Sequence, residues 1–379
     1  MELELQDDQE LFVETTRRFL DTQSPLTRVR ALYDDPVGFD REFWRRGAEL
    51  GWTTMLVPDD LGGGSVSGDG LLDLVLVAEE MGRLVAPGPL LPVNVVAETV
   101  ARSGNPEQRA AQLEGLVDGT RITTWAFAEP AGRWDAGGVA LAARADGSGW
   151  VLSGTKSYVQ DAAVADTWLV TARTGDGMTQ FLVPSDTPGV AVHPRQSLDI
   201  TRRFADLEFR DAIVSDATVV GRVGDAAADV ERQLQVAVVL QNAETVGAVN
   251  RVYDFTLEYA KDRMAFGRPI GSYQALKHRF ADMKVWLEAC NATATASARA
   301  VQRAEHDAAG DAAMLVSVAK AYIGDRAPAI VQDCVQLHGG IGVTWEHDLH
   351  LYLRRVAQNA ALFGSARDHR LRVASLLGV

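Results

Sequence analysis

Apolar residues recur at helical spacing near both ends of the chain and at strand spacing in its middle. Leu11, Phe12, Thr15, Phe19 and Leu20, three to four residues apart, predict one helix face near the start. Breakers follow in Val57-Pro58-Asp59-Asp60-Leu61-Gly62-Gly63-Gly64. Helical spacing resumes through Leu74, Val75, Val77, Ala78, Met81 and Leu84 and ends near Pro87-Gly88-Pro89. From about Arg121 to Gly221 the period shortens toward two. Runs at 149–152, 167–170, 180–184, 189–192 and 206–209 are separated by Gly, Asp, Ser and Pro, as in a small sandwich or barrel. Beyond about Asp225 the spacing is helical again. Val249, Val252, Tyr253, Thr256 and Ala260 share a stripe, and Ala-rich stretches run from Ala292 to Ala308 and from Ala312 to Ala329. Such broad, weakly polar faces suit a bundle and an oligomer interface. The expected fold class is α+β: a helical domain over 1–120, a β-sandwich or barrel domain over 121–222, and a C-terminal four-helix bundle over 223–379.

A length of 379 residues agrees with two or three domains, and 47% apolar with 23% charged residues excludes a disordered chain. Thirty-seven Lys and Arg against 51 Asp and Glu leave a net charge of −14, which argues against binding nucleic acid. An anionic ligand would need a local basic or backbone N–H site. No apolar run reaches the roughly 20 residues of a membrane helix, so membrane insertion is not expected. The acidic start MELELQDDQE is unlike a signal or transit peptide. Cys290 and Cys334 lack metal-ligand spacing, and a reduced, cytoplasmic setting is expected.

Two turns have the chemistry to face a phosphate. Arg263-Met264-Ala265-Phe266-Gly267-Arg268-Pro269, followed by Gln274, offers a guanidinium for paired hydrogen bonds and an aromatic cover. A helix end stopped by Gly and Pro explains the same residues. Gln336-Leu337-His338-Gly339-Gly340-Ile341-Gly342 lets a backbone come close to a phosphate, or is a plain interhelical turn. His338 and His347 lack the carboxylate spacing of a metal site. Glu346-His347-Asp348, His350 and Arg354-Arg355 read as a salt-bridged surface or interface. No nucleophile elbow, dinucleotide fingerprint or Walker loop is present.

Taken in order, the motifs resemble the acyl-CoA dehydrogenase family along essentially the whole chain. Gly51-Trp52-Thr53, Val57-Pro58, Leu61-Gly62-Gly63 and Glu79-Glu80-Met81-Gly82-Arg83 are similar to its N-terminal domain. Ala128-Glu129-Pro130 and Ser153-Gly154-Thr155-Lys156 resemble its middle domain. Tyr259-Ala260, Arg263 to Gly267, Gln274 and Gln336-x-x-Gly339-Gly340-x-Gly342 resemble its C-terminal domain. The resemblance implies an FAD-dependent α,β-dehydrogenation of an acyl-CoA thioester, with electron-transfer flavoprotein as electron acceptor. A carboxylate takes the α-proton while the β-hydrogen leaves as hydride to the flavin, and the thioester oxygen sits in an oxyanion-type site.

The carboxylate is missing here. Phe363 stands where the family's commoner base is expected, and Ala237 where its alternative base falls. Ala128, Gln160 and Trp134 replace residues that the family uses beside the flavin ring and the thioester. Arg263, Phe266, Gln274, Gln336, Gly339 and Gly340 remain, and in family dimers these reach the AMP and pyrophosphate of the neighbour's FAD. This division resembles the non-catalytic subunit of α2β2 acyl-CoA dehydrogenases of bacterial steroid side-chain degradation, which implies a homologous catalytic subunit as partner. Thr344 to Arg355 also resembles that subgroup. Two other readings stay open: a self-sufficient homo-oligomer using Glu244 as a displaced base, and a flavin-poor acyl-CoA-binding or scaffold relative.

Overall fold

The structure, a computed structural model, describes residues 5–147, 149–304 and 311–379. Helices α1 (Asp7–Gln23), α2 (Leu26–Ala31), α3 (Arg41–Glu49), α4 (Gly70–Arg83), α5 (Leu90–Ser103) and α6 (Pro106–Val117) come first. The buried side of α1 runs through Gln9, Thr16 and Leu20, with Phe12 and Phe19 half-buried. Leu11 is 62% exposed and Thr15 faces solvent, which corrects the expected face. Positions 9, 12, 16 and 20 lie on one side of a 3.6-residue helix, and Thr15 and Leu11 lie about 100° and about 145° round from its centre. Helices α4 and α5 are buried almost throughout. A Cβ on Gly82 of α4 would lie 1.9 Å from the Glu244 carbonyl oxygen, so glycine is what allows the backbone to approach Glu244 so closely.

Strands β1 (Thr123–Ala126), β2 (Ala142–Asp146), β3 (Gly149–Gln160), β4 (Thr167–Thr174), β5 (Gly177–Pro184), β6 (Val190–Arg195), β7 (Phe204–Ser215) and β8 (Val219–Val220) join in one continuous sheet. Its path is β6-β7-β3-β2-β4-β5-β8, with β1 parallel to the first half of β4. Register shifts in β3 between Leu152 and Gly154, and between Lys156 and Val159, bend the sheet.

The last part is helical: α7 (Ala227–Asp262), α8 (Gln274–Arg303), α9 (Ala312–His338), α10 (Leu349–Ala361) and α11 (Ala366–Leu376). A small hairpin of β9 (Met264–Ala265) and β10 (Arg268–Pro269) lies between α7 and α8. Among the described residues three long and two shorter helices build the expected C-terminal helical bundle. Of the Ala-rich run expected to reach Ala308, residues to Arg303 are helical, and 305–310 lie outside the described residues. The stripe Val249, Val252, Tyr253, Thr256 and Ala260 is buried, with Val249, Val252, Tyr253 and Ala260 in one apolar core with α8, α9 and α10.

Candidate functional site

The two middle-domain motifs meet in a buried ion pair. Lys156 is fully buried, and its Nζ donates to Glu129 Oε1 at 2.7 Å and to the Phe127 carbonyl at 3.0 Å. Burial pushes the Lys156 amine down to about 8, with Glu129 opposing the shift. Glu129 also accepts from the backbone N–H groups of Ala140 and Leu141. The pair locks the strand end that carries Phe127 and Ala128, where the resemblance places a flavin ring.

That place is filled by the chain's own side chains. Trp125 stacks on Phe127 with centroids 5.3 Å apart and on Phe363 at 6.0 Å, and Trp134 meets Phe363 edge to face at 5.1 Å. The cavity left between Trp125, Ala128, Trp134, Tyr158, Gln160 and Phe363 is about 20 Å³. This is room for about one water molecule, and a three-ring isoalloxazine does not fit. Among the described residues no Asp or Glu lines it. Phe363 has φ +60, so its left-handed backbone forms the bend between α10 and α11. Ala237 is fully buried in α7.

Glu244 is committed elsewhere. It is 5% exposed, and its Oε1 accepts from Arg202 and Arg355, each at 2.5 Å, while Oε2 accepts from Asn359 at 2.9 Å. Burial by itself raises its pKa, but the Arg202 and Arg355 charges and the Asn359 bond outweigh this and hold it below the usual carboxylate range. A carboxylate with both oxygens bonded and its charge stabilised is a poor proton acceptor. Arg355 is completely buried and pairs also with Asp199 and Thr201, which corrects its reading as a surface residue. Neither Arg202 nor Asp199 was singled out from the sequence, because nothing local marks a polar residue that is satisfied only by distant segments.

A cavity of about 510 Å³ opens beside this region between the 132–136 loop, the start of α7 and α11. Its carboxylates are also engaged. Asp135 pairs with Arg133, Glu231 pairs with Arg372, and Asp368 accepts from the Ser365 backbone N–H and hydroxyl. His369 lies within hydrogen-bond distance of the Phe363 carbonyl at 2.9 Å, and burial pushes its imidazole down to about 4, so it is neutral at pH 7.

The residues expected to face a nucleotide lie at the far end of α7. The rise of a helix puts Arg263 roughly 40 Å from Leu234, which lines the cavity beside Phe363. Phe266 and Gly267 form the two-residue turn between β9 and β10, with φ +50 and +81. Phe266 is 98% exposed. The turn is braced by Ile270 N donating to the Arg263 carbonyl at 2.8 Å, by Tyr273 Oη donating to the Ala265 carbonyl at 3.0 Å, and by the Arg268 guanidinium 3.9 Å over the Tyr273 ring. One helical turn before Arg263, Tyr259 stacks on His338 with centroids 4.4 Å apart, which brings the hairpin beside the Gln336–Gly340 segment. Arg263, Gln274, Gln336, Gly339 and Gly340 are all exposed. A Cβ at Gly339 or Gly340 would meet nothing within 4 Å, so both present bare backbone to open space. Residues 251–279 carry six Lys and Arg against three Asp and Glu, a basic stretch in a chain of net charge −14.

Residues 6–120, 124–212 and 222–377 match the N-terminal, middle and C-terminal domains of acyl-CoA dehydrogenase, respectively. The chain is 31% identical over 371 residues to the acyl-CoA dehydrogenase IpdE2 of Mycolicibacterium smegmatis, covering 97% of this chain and 98% of that one. A variant of the Tcur3481–Tcur3483 steroid ACAD superposes with a TM-score of 0.87 at 30% identity over 98% of both chains. The ChsE4–ChsE5 complex from Mycobacterium tuberculosis gives 0.88 at 29% identity over 100% of this chain and 99% of that one. No helix among the described residues is long and apolar enough to cross a membrane.

Proposed function

Because the chain belongs to the acyl-CoA dehydrogenase family, we propose that it is the non-catalytic subunit of an α2β2, FAD-dependent acyl-CoA dehydrogenase. The observation that carries this is the ring site filled by Trp125, Trp134 and Phe363, with no carboxylate among its described lining residues, while the nucleotide rim stays open. The filled ring site lies at one end of α7 and the exposed Arg263–Phe266 turn with Gly339-Gly340 at the other, roughly 40 Å away, so one dinucleotide cannot span both. The nucleotide rim then serves a neighbour's coenzyme. Arg263 pairs with the pyrophosphate, Phe266 covers the nucleotide, Gln274 and Gln336 bond to it, and Gly339-Gly340 admits it to the backbone. The catalytic subunit supplies the base and the ring site, with electron-transfer flavoprotein as its oxidant. The steroid ACAD among the similar structures supports a steroid side-chain CoA as substrate.

A self-sufficient enzyme using Glu244 is disfavoured by the two guanidiniums on that carboxylate. A flavin-free scaffold gives no reason to present an aromatic ring 98% exposed at a left-handed turn. The test is flavin stoichiometry by visible absorbance, for the chain alone and co-expressed with a homologous dehydrogenase chain that retains the base. The expected result is a colourless chain alone and a yellow, active complex holding one FAD per pair of unlike chains. A yellow chain that bleaches anaerobically with an acyl-CoA in the absence of any partner would overturn the proposal.

A further inference from the structure

Behind the bare Gly339-Gly340 backbone lies a compact group of aromatic and titratable rings. His338 is 4% exposed, and its Nδ1 lies 2.8 Å from the Cys334 carbonyl, so Nδ1 carries the proton and Nε2 is bare. The Tyr259 ring stacks on His338, and Phe255 meets both His338 and His347 within 6.0 Å. The His338 and His347 rings lie 4.8 Å apart, and His347 Nδ1 accepts the Leu349 N–H at 3.1 Å at the start of α10. His338 is followed directly by Gly339, whose φ of +63 and ψ of −140 leave glycine as the residue that fits. The direction of the loop therefore depends on where this imidazole is held.

We propose that His338 and His347, whose rings meet edge-on, are positioning residues for the Gly339-Gly340 loop and hence for the nucleotide that the loop holds for the partner. The inference rests on the reading under Proposed function. Acid acts on the pair in two ways. A second proton on His347 must go to Nδ1, which then cannot accept the Leu349 N–H, and protonation of both rings sets like charges 4.8 Å apart. Among the described residues, the carboxylate that acts on His347 is already paired. Asp348 is bonded to Arg30 at 2.7 Å, Arg251 lies over Phe255, and burial pushes the Cys334 thiol and the Tyr352 hydroxyl up to about 12. Burial lowers the pKa of both histidines, and for His347 the neighbouring His338 adds to the effect. The loop is therefore held at neutral pH and loosens as pH falls below the usual histidine range of about 6.5.

The test uses the complex of this chain with its catalytic partner, and reads FAD release by flavin fluorescence from pH 8 to pH 5. The complex is expected to lose FAD affinity about tenfold or more across that range. The His338→Phe/His347→Asn complex, which keeps a ring at 338 and an acceptor for the Leu349 N–H at 347, is expected to show a flat profile. An unchanged profile in the double variant, or no pH dependence in the parent, overturns the inference. If the double variant does not fold, His347→Asn alone is expected to remove part of the dependence, and a full dependence overturns the inference. Hydrogen exchange of residues 336–344 in the chain alone, corrected for intrinsic rates, separates the two claims. Acid-loosened exchange that the variants abolish supports the positioning role even where Arg263→Ala leaves FAD affinity untouched and so sinks the nucleotide-rim reading. Acid-independent exchange overturns the positioning role.

Discussion

The rings of Trp134 and Phe363 meet edge to face with centroids 5.1 Å apart, and Trp125 stacks on Phe363 at 6.0 Å. Phe363 therefore packs against two tryptophans at the position where the resemblance places the family's base. Phe363→Glu restores the carboxylate but places it among aromatic rings beside a cavity of about 20 Å³, with no room for a flavin ring. The expected outcome is a loss of about 2–4 kcal/mol in urea unfolding and no dehydrogenation of acyl-CoA by the isolated chain. Measurable turnover by that variant alone would show that the site had lost only its base.

Glu244 gives the opposite test. If it were a base, Glu244→Gln would abolish turnover and leave the fold nearly as stable. In the structure it neutralises two buried guanidiniums, Arg202 and Arg355. The expected result is a destabilisation of about 3–5 kcal/mol, read by chemical denaturation of the chain. The folded fraction of the complex should retain its turnover, because no reacting atom depends on Glu244.

Phe266 sets stability against function. Its ring is 98% exposed, so it contributes little to the core, and its φ of +50 strains an L-residue. Phe266→Gly is expected to stabilise the isolated chain by about 1 kcal/mol. In the complex the same variant should bind FAD more weakly. Arg263→Ala, also at an exposed position, should shift the unfolding free energy of the isolated chain by no more than about 0.5 kcal/mol. It should weaken FAD binding in the complex about 10- to 100-fold, the loss of charge-assisted bonds worth about 1.5–3 kcal/mol. Fluorescence titration of the apo-complex with FAD checks both.

How far the sequence could be read depended on how local each signal was. The runs at 149–152, 167–170, 180–184 and 206–209 lie wholly inside strands, and that at 189–192 reaches into one, because each has a strand-forming composition bounded by turn residues. Thr123–Ala126 escaped notice because it is buried on both faces and shows no alternation. Ala142–Asp146 is short and mostly exposed. At the site, Phe363, Trp134 and Gln160 were visible as residue types at positions that the resemblance assigns to the base, the thioester and the flavin ring. Their packing into a plug with Trp125 was not, since it joins side chains from separate parts of the chain. Arg355 looked like a surface charge beside His350 and Arg354. It is buried because its partners Asp199 and Glu244 come from 156 and 111 residues away, and no local pattern shows that pairing.

Lys320 provides a prediction whose sign follows from its partners. The side chain is fully buried in α9, and its Nζ donates to Gln241 Oε1 at 2.5 Å and to the Asn359 carbonyl, neither of which is charged. Burial alone pushes the amine down to about 7 from its ordinary value near 10.5. Between those two values the unfolded chain binds a proton that the folded chain does not, so stability rises with pH through that window. An amine paired with a carboxylate would have a raised pKa and would lose stability as pH increases. Relative to Lys320→Met, the parent chain should therefore gain up to about 4 kcal/mol between pH 7 and pH 10. At pH 7 the two should be close in stability, because the variant escapes the desolvation cost but leaves the Gln241 and Asn359 oxygens without a donor, at about 1–3 kcal/mol each. Urea unfolding of both proteins at pH 7, 8.5 and 10 reads the difference directly. Parallel pH profiles would mean that Lys320 stays charged in the fold, with a counter-ion or water compensating its burial.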